Sequence, residues 1–467
     1  MGNAESAAAS IANIVAGIKR AQEDKGNRLY ELVDYKGAGE LLQWAKFAMS
    51  SGDYSILDGL IEMKVTPFVY GGGKGKLVPI AQLVKLRNKE RNATLGALSR
   101  KRGKGKSGPD ILEGLDQEAM QGDMRKALKF LDGGGGKGSK GGSKYRELTW
   151  DIDNRGAYGE TLLHLCLLHG TAMHNVVARR LLEAFPKLVN DIYLSEAYYG
   201  QSALHQAIVN EDPAMVKFLL SKGADVHQRC VGAVFCPDDQ KATRSDSLEY
   251  EWVDVNPKTD YACRTYWGEY PLNFAACTRQ FDCFRLLRAN KADPNMRDTI
   301  GNTVLHLMVI HEHADVFDLA HRLGAKLHVA NNQNLTPLTL AAKLAKKEMF
   351  HHVLMIERDV LWTYGDILCS AYPLRYIDTI EEGTGDLNKL SALSLIVYEE
   401  SNEHLELLDG LIEDILEQKW HSFGKRKLTQ QFVQFLLYFA CVFVSFYLRN
   451  YMPQKYFDEH VACKADA

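Results

Sequence analysis

The strongest constraint on the fold is a set of similar segments that recur along the middle of the chain. Three of them begin at Gly268, Gly301 and Asn334, which are 33 residues apart. Each starts with a turn and continues with two short apolar stretches, the first of which opens on Thr or Pro beside Leu. One such unit cannot bury its own apolar face, so the units must stack on one another into an elongated solenoid.

Two earlier segments, beginning at Gly159 and Gly200, share the pattern at wider spacing. The period and tetrapeptides such as TVLH at Thr303 are those of ankyrin repeats, in which two antiparallel helices follow a turn. Hydroxyl side chains stand where they can cap the first helix, and prolines stand in its first turn. The residues that we assign to turns and caps are Thr161, His164, Ser202, His205, Pro271, Thr303, His306, Thr336 and Pro337.

The three histidines of this pattern could in principle bind a metal or act in catalysis. Asn273 and Thr339 replace histidine in two of the repeats, however, which favours a hydrogen-bonding role inside the turn. Nine cysteines without a CxxC pair indicate reduced thiols and argue against a zinc ribbon or a disulfide framework. A phosphate-binding loop is excluded because Arg100 stands where the motif needs glycine. We therefore expect no catalytic residue, no metal and no cofactor, and no enzyme activity.

The repeat pattern is interrupted between residues 231 and 267, where the sequence is rich in Asp, Pro and aromatic residues. We predict an extended loop that projects from one face of the solenoid, within a repeat domain over residues 146–356. Loops of this length are usually functional or disordered, and the aromatic residues favour an ordered contact surface. Trp252, Tyr266 and Trp267 are our candidates for that contact.

Residues 1–145 carry tracts rich in glycine and lysine, at 71–76, 101–108 and 133–144. Such tracts have too few apolar side chains to pack, so we predict a flexible region. A degenerate first repeat could lie between residues 38 and 150. Gly2 with Ser6 has the spacing of an N-myristoylation signal. The alternative is an unmodified N-terminal tail.

A membrane-length apolar stretch lies near the end of the printed sequence. Residues 428–448 contain no charged residue and would form a helix of about 31 Å, close to the thickness of the hydrocarbon core. We predict a transmembrane helix over residues 425–449, followed by a short polar tail over residues 450–467. Lys425, Arg426 and Lys427 precede the apolar stretch, and the positive-inside rule then places the N-terminal side in the cytosol. The alternative is a buried helix of a soluble domain.

Residues 357–424 lie between the repeats and this helix. Within them, residues 357–380 carry aromatic and β-branched residues broken by Gly365 and Pro373, and residues 404–420 have the apolar spacing of an amphipathic helix. We predict a small α/β linker there. The fold class is therefore mainly α: an ankyrin-repeat α-solenoid with a long loop, a small α/β coupling linker and one transmembrane helix. A net charge of −3 gives no reason to expect binding of nucleic acid.

The order of these parts resembles a known family. The segments GEYPLNFAAC, GNTVLHLMVIHEHADVFDLAHRLGAKL, WTYGDILCSAYPLRYIDTI and LIEDILEQKWHSFGK, followed by an apolar span, are similar to the vanilloid-type transient receptor potential channels. The resemblance covers about residues 146–448. Within the family, the N-terminal region and the long loop are most similar to invertebrate members of the Nanchung and Inactive types.

The resemblance implies a tetrameric, calcium-permeable cation channel of the plasma membrane with six spans per subunit and six ankyrin repeats. It also implies that the linker touches the repeats of a neighbouring subunit, and Trp362 and Tyr364 join the loop aromatics as candidates for that contact. Nanchung-like members imply a mechanosensory role at ciliary membranes. The printed sequence contains one span and no pore segment, so we expect that this chain alone does not conduct. The alternatives are a short regulatory isoform and a membrane-anchored ankyrin adaptor with a single span.

Overall fold

The computed structural model describes residues 28–34, 39–101, 144–241, 243–246, 251–381, 383–399 and 401–451. The chain divides into two compact units, one up to Ala392 and one from Leu393 onward. The first unit contains the repeats, and the second contains the long apolar helix.

The described residues of the N-terminal part of the first unit form helices and strands. They are α1 (Arg28–Leu32), α2 (Glu40–Ser51), α3 (Ser55–Val65), β1 (Lys76–Pro79), α4 (Ile80–Lys101) and β2 (Tyr145–Leu148). β1 and β2 pair antiparallel, with Leu77 opposite Glu147. The glycine-rich tract at 71–76, which we predicted to be flexible, instead forms a tight turn that leads into β1. Four of its glycines have positive φ, a conformation that glycine adopts without steric strain.

Ten helices follow as five antiparallel pairs. They are α5 (Leu162–His169), α6 (Ala172–Ala184), α7 (Ala203–Val209), α8 (Pro213–Ser221), α9 (Pro271–Cys277), α10 (Phe281–Ala289), α11 (Val304–His311), α12 (Ala314–Arg322), α13 (Pro337–Lys343) and α14 (Lys347–Glu357). The first helices of successive pairs are neighbours, from α5 through α7, α9 and α11 to α13. The α2/α3 pair packs against α6 at the N-terminal end of this stack.

The two helices of a pair differ in burial, and their sequences explain why. Every residue of α7 and α9 is buried, so these helices are covered on all sides and lie between neighbouring repeats. α12 buries only one side, which includes Val316, Phe317 and Ala320, and its charged residues are partly or fully exposed. The repeat core is therefore a continuous row of buried first helices, covered by amphipathic second helices.

The 33-residue period is also present in the backbone. Positive φ occurs at Gly268, Gly301 and Asn334, which open the repeat turns, and again at Arg279, Glu312 and Ala345, which join the two helices of a repeat. Both sets are spaced by 33 residues. A Cβ atom on Gly301 would lie 2.5 Å from the backbone nitrogen of Asn332, so glycine is required there by space as well as by φ.

The described part of the long loop packs against the rest of the first unit. It contains β3 (Ser245–Asp246) and β4 (Val253–Asp254), which pair antiparallel. Val231 and Val253 join Val78 and Leu148 in one apolar cluster, which links the loop to the β1/β2 pair. The prediction of a projecting loop is wrong for the described residues, because their apolar side chains share a core with β1 and β2.

After α14, β5 (Asp359–Tyr364) and β6 (Ile367–Ala371) form a hairpin with Tyr364 opposite Ile367. The later helices are α15 (Ala392–Tyr398), α16 (Asn402–Leu405), α17 (Leu411–Lys419) and α18 (Lys425–Tyr451). A π-helical turn, Trp420–Gly424, joins α17 to α18. The predicted fold class is confirmed: the described chain is mainly helical, with ankyrin repeats, little sheet and one helix long enough to span a membrane.

Candidate functional site

The residues that we assigned to helix caps lie at the starts of the first helices of the repeats. Thr303 caps α11, and the backbone N–H of Thr303 donates to Nδ1 of His306 at 3.2 Å. Nε2 of the same ring then donates to the carbonyl oxygen of Leu335 in the next repeat at 2.9 Å. Ser202 and His205 form the same arrangement.

The other cap residues lie in equivalent places. Thr161 caps α5, and its backbone N–H donates a hydrogen bond to Nδ1 of His164 at 3.3 Å. Thr336 forms a capping box with Thr339, which stands where other repeats have histidine. Pro271 and Pro337 occupy the first positions of α9 and α13.

Burial keeps the repeat histidines neutral. It lowers the pKa of His205 to about 3 and that of His306 to about 4. The side chains of both have no solvent exposure. A proton on Nδ1 of either ring would face a backbone N–H, so the charged form would lose a hydrogen bond in a dry site.

Two of the five predicted contact residues are buried inside the chain, and for them the prediction of an intersubunit contact is wrong. Trp267 has no exposed surface and packs against Phe235 and Phe274, with ring centroids 5.8 and 5.4 Å away. Tyr266 is 3% exposed, and its hydroxyl donates to Asp298. Aromatic composition alone does not separate residues that anchor a loop from residues that a loop displays.

Trp252 is partly exposed and borders a cavity of about 500 Å³ between the loop and β2. Most of the charged groups around this cavity are neutralised within the chain. Arg146 pairs with Glu251, and Lys187 pairs with Glu147, both at 2.5 Å. The cavity therefore offers a ligand little unpaired charge.

The β5/β6 hairpin presents a cluster of exposed apolar side chains. Trp362 is 54% exposed and Tyr364 is 81% exposed. The other large apolar residues exposed on the two strands are Val360, Leu361, Ile367 and Leu368. Exposed apolar clusters of this kind mark surfaces that bind another protein or a membrane. A two-stranded sheet also has a free edge on each strand, which can pair with a further strand.

Sequence reasoning missed a charged network that fastens α4 to the long loop. Arg87 is fully buried and contacts Asp246, and its guanidinium also donates to the carbonyl oxygen of Glu251 at 2.9 Å. Arg91, one helical turn later, pairs with the same aspartate at 3.1 Å. Arg87 also lies over the ring of Tyr199 at 4.5 Å. Two arginines four residues apart are a weak signal in sequence, because their carboxylate partner lies 155 residues further along the chain.

The apolar helix α18 begins with the basic residues Lys425, Arg426 and Lys427. A continuous helical stretch from Leu411 to Leu448 contains an 18-residue window of mean hydropathy 1.8, and none of that window is buried by the protein. Length, composition and exposure together suit a helix whose surroundings are lipid. Gly2 lies outside the described residues. Among the residues that the structure describes, no three His, Cys, Asp or Glu side chains are grouped as metal ligands.

Comparison with known proteins identifies ankyrin repeats at residues 118–230 and 272–360. The chain is 31% identical over 307 residues to the human transient receptor potential cation channel subfamily V member 5 (Homo sapiens), covering 63% of this chain and 38% of that protein. It is 31% identical over 315 residues to subfamily V member 6 of Rattus norvegicus, covering 65% and 37%.

A third relative is subfamily V member 1 of Canis lupus familiaris, with 32% identity over 302 residues that cover 57% of this chain and 32% of that protein. The chain therefore spans less than two fifths of the length of each of these relatives. These similarities support a relationship to the N-terminal ankyrin region of vanilloid-type channels.

Proposed function

We propose that this chain supplies the N-terminal ankyrin region and the first membrane span of a calcium-permeable cation channel subunit of the vanilloid type. The observation that carries the proposal is the order of parts: ankyrin repeats, an exposed hairpin and an exposed apolar helix follow one another in a chain similar to three channels of subfamily V. A helix that served only as a tether would not need the hairpin between it and the repeats. The chain acts in assembly and gating, and other spans line the pore.

The hairpin is the assembly surface in this proposal. Trp362 and Tyr364 of one subunit dock onto the repeats of the next subunit, near the partly exposed Trp252. Their exposure supports this role, since burying the two large aromatic side chains against a partner would contribute on the order of 2 kcal/mol each. The partner is another channel subunit, identical or related.

The topology in this proposal has the repeats in the cytosol and α18 across the plasma membrane, because the three basic residues precede the apolar stretch. The sequons at Asn92 and Asn334 would then stay unglycosylated. Glycan mapping in animal cells checks this. A glycan on Asn334 would show that the repeats lie on the lumenal or extracellular side of the membrane, and it would refute this topology.

The finer identity is a mechanosensory, ciliary channel subunit of the Nanchung or Inactive type, which the sequence resemblance supports. Its test is the cellular location of the endogenous protein together with calcium imaging under osmotic stretch. Enrichment in sensory cilia and loss of the stretch response on knockdown would support this identity. A protein spread over non-sensory membranes would refute it.

A single-span ankyrin adaptor or short regulatory isoform is the second candidate, favoured by the one span in the described chain. Sequencing of the full transcript separates the two candidates. A message that continues into further spans and a pore segment supports the channel subunit. A message that stops after residue 467 supports the adaptor, which would bind channel subunits and reduce their calcium signal on co-expression.

A further inference from the structure

Two segments of the long loop run antiparallel and are joined by hydrogen bonds on either side of a short gap. On one side, the backbone N–H of Asp238 donates to the carbonyl oxygen of Ala262 at 3.3 Å. On the other side, the hydroxyl of Thr265 donates to the carbonyl oxygen of Val234 at 2.7 Å. Between these two bonds, one segment has three residues and the other has two, and each contains a cysteine.

Cys236 and Cys263 are these two cysteines, and the register therefore places them opposite one another. Sγ of Cys263 lies 3.3 Å from Oγ1 of Thr265, the hydroxyl that bonds to the first segment, so this sulfur lies on the side that the first segment occupies. Cysteines opposite one another on adjacent stretches of backbone are the pairs that a disulfide can join without a large movement of the chain.

These two cysteines are also the ones that solvent reaches in this region. Cys236 and Cys263 are partly exposed, whereas Cys230 and Cys277, the nearest cysteines in sequence on either side, are buried. A small oxidant therefore reaches the central pair before it reaches the flanking cysteines. In a reducing compartment the pair is held as free thiols, and a disulfide there is typically transient and redox-sensing.

The surroundings of the two sulfurs set the order in which they react. Burial, and then the negative charge of Glu269, raise the pKa of Cys236 to about 12, and the neighbouring Cys263 adds to this shift. The guanidinium of Arg244 donates to the Cys236 sulfur at 3.6 Å but does not outweigh burial. Because the thiolate is the form that attacks an oxidant, Cys263 reacts first and Cys236 second.

We propose that Cys236 and Cys263 form a modification site for a peroxide, at which oxidation closes the long loop with a disulfide. The Cys263 thiol takes one oxygen from hydrogen peroxide, which gives a sulfenic acid and one water. The sulfur of Cys236 then bonds to the Cys263 sulfur as the S–O bond breaks, and the Cys236 proton leaves with the hydroxyl as a second water. The two thiols thus lose two electrons to the peroxide. The disulfide encloses Trp252 and the β3/β4 pair in one covalent ring.

Peptide mapping of the full chain in detergent micelles tests this proposal. The reduced chain is treated with a small excess of hydrogen peroxide, alkylated under denaturing conditions, digested and read by mass spectrometry. We expect a cross-linked pair of peptides that contain Cys236 and Cys263. Its mass should be that of the two free peptides less two hydrogens, and a thiol reductant should separate them again.

Two variants separate the steps. In Cys236→Ser the link should be absent, and Cys263 should carry a sulfenic acid that dimedone traps, because the second thiol is missing. Cys369→Ser, which removes a partly exposed cysteine of the β5/β6 hairpin, is the matched control and should form the link as the natural chain does.

Three results would overturn the proposal. In the natural chain, these are a Cys236 and a Cys263 that stay unlinked while the peroxide oxidises other cysteines, or a link from Cys236 to Cys230 in place of Cys263. In Cys236→Ser, the contrary result is a Cys263 that dimedone does not label. The natural chain alone decides the first two points, so the proposal stays testable if the variant does not fold.

Discussion

Acid should weaken the repeat stack through its buried histidines, and His306 offers the clearest measurement. The neutral ring uses both nitrogens, one as an acceptor from the Thr303 N–H and one as a donor to the Leu335 carbonyl. Its pKa is lowered to about 4 by burial, whereas the unfolded chain takes up a proton near pH 6.5. A folded-state pKa below the unfolded one gives stability that is full above pH 6.5 and is lost as pH falls toward 4.

The magnitude follows from these two values. At pH 5, which is about 1.5 units below the pKa of an unfolded histidine, the ring is protonated in the open state of the repeat but remains neutral in the folded state. This difference favours opening by about 2 kcal/mol, which corresponds to roughly a 30-fold loss of protection from exchange. The perturbation is His306→Thr, which copies the Thr336–Thr339 arrangement of the following repeat and retains a capping box without a titrating group. Loss of the ring leaves a cavity, so this variant should be less stable at every pH, by about 2 kcal/mol.

The assay is hydrogen exchange of amides 303–310 in the full chain at pH 7.5 and at pH 5, corrected for intrinsic rates. The natural chain should lose roughly 30-fold more protection on acidification than His306→Thr loses. His311, whose pKa is also lowered to about 4, is present in both proteins, so the difference isolates His306. Equal losses of protection in the two proteins would refute this prediction, because they would show that the folded repeat does not disfavour protonation of His306.

Three further predictions concern stability and loop order. Glu312→Gly should raise thermal stability by up to about 1 kcal/mol relative to Glu312→Ala, because Glu312 has φ 57°, where glycine is unstrained; no gain would contradict this. Tyr30→Phe should cost about 1–3 kcal/mol, seen as faster exchange in α1, since its hydroxyl donates to the buried Glu160 at 2.6 Å; unchanged exchange would contradict it. Arg87→Met should cost roughly 3 kcal/mol by leaving Asp246 short of a buried partner, and limited proteolysis should then cut the long loop faster than in the natural chain.

The repeats could be predicted from sequence because their signals are local. A capping hydroxyl, a turn glycine and a short apolar helix each act within a few residues, and their recurrence at 33 residues makes the pattern specific. The apolar helix was predictable for the same reason, since length and lack of charge are local properties. The sequence also favoured a hydrogen-bonding role for the histidines, because other repeats replace them.

The long loop could not be predicted in the same way, because what holds it is distant in sequence. Arg87 pairs with Asp246, which lies 159 residues later in the sequence. Trp267 packs against Phe235 and Phe274. Aromatic residues look alike in a sequence whether they anchor a loop or bind a partner. The order of the glycine tract at 71–76 is hidden from the sequence for a related reason: it depends on contacts such as the hydrogen bond from the Tyr70 N–H to the Thr149 carbonyl.

The proposed function requires the hairpin of one subunit to dock on the repeats of another. Its most direct test uses cysteine cross-linking between two differently tagged copies of the chain in membranes, one with Tyr364→Cys and one with Trp252→Cys, both without exposed natural cysteines. After addition of an oxidant, we expect a mixed disulfide between the two copies, and loss of that product when Trp362 and its neighbour Leu361 on β5 are replaced by Ser. The absence of any product between copies, or a product that persists after those replacements, would contradict it.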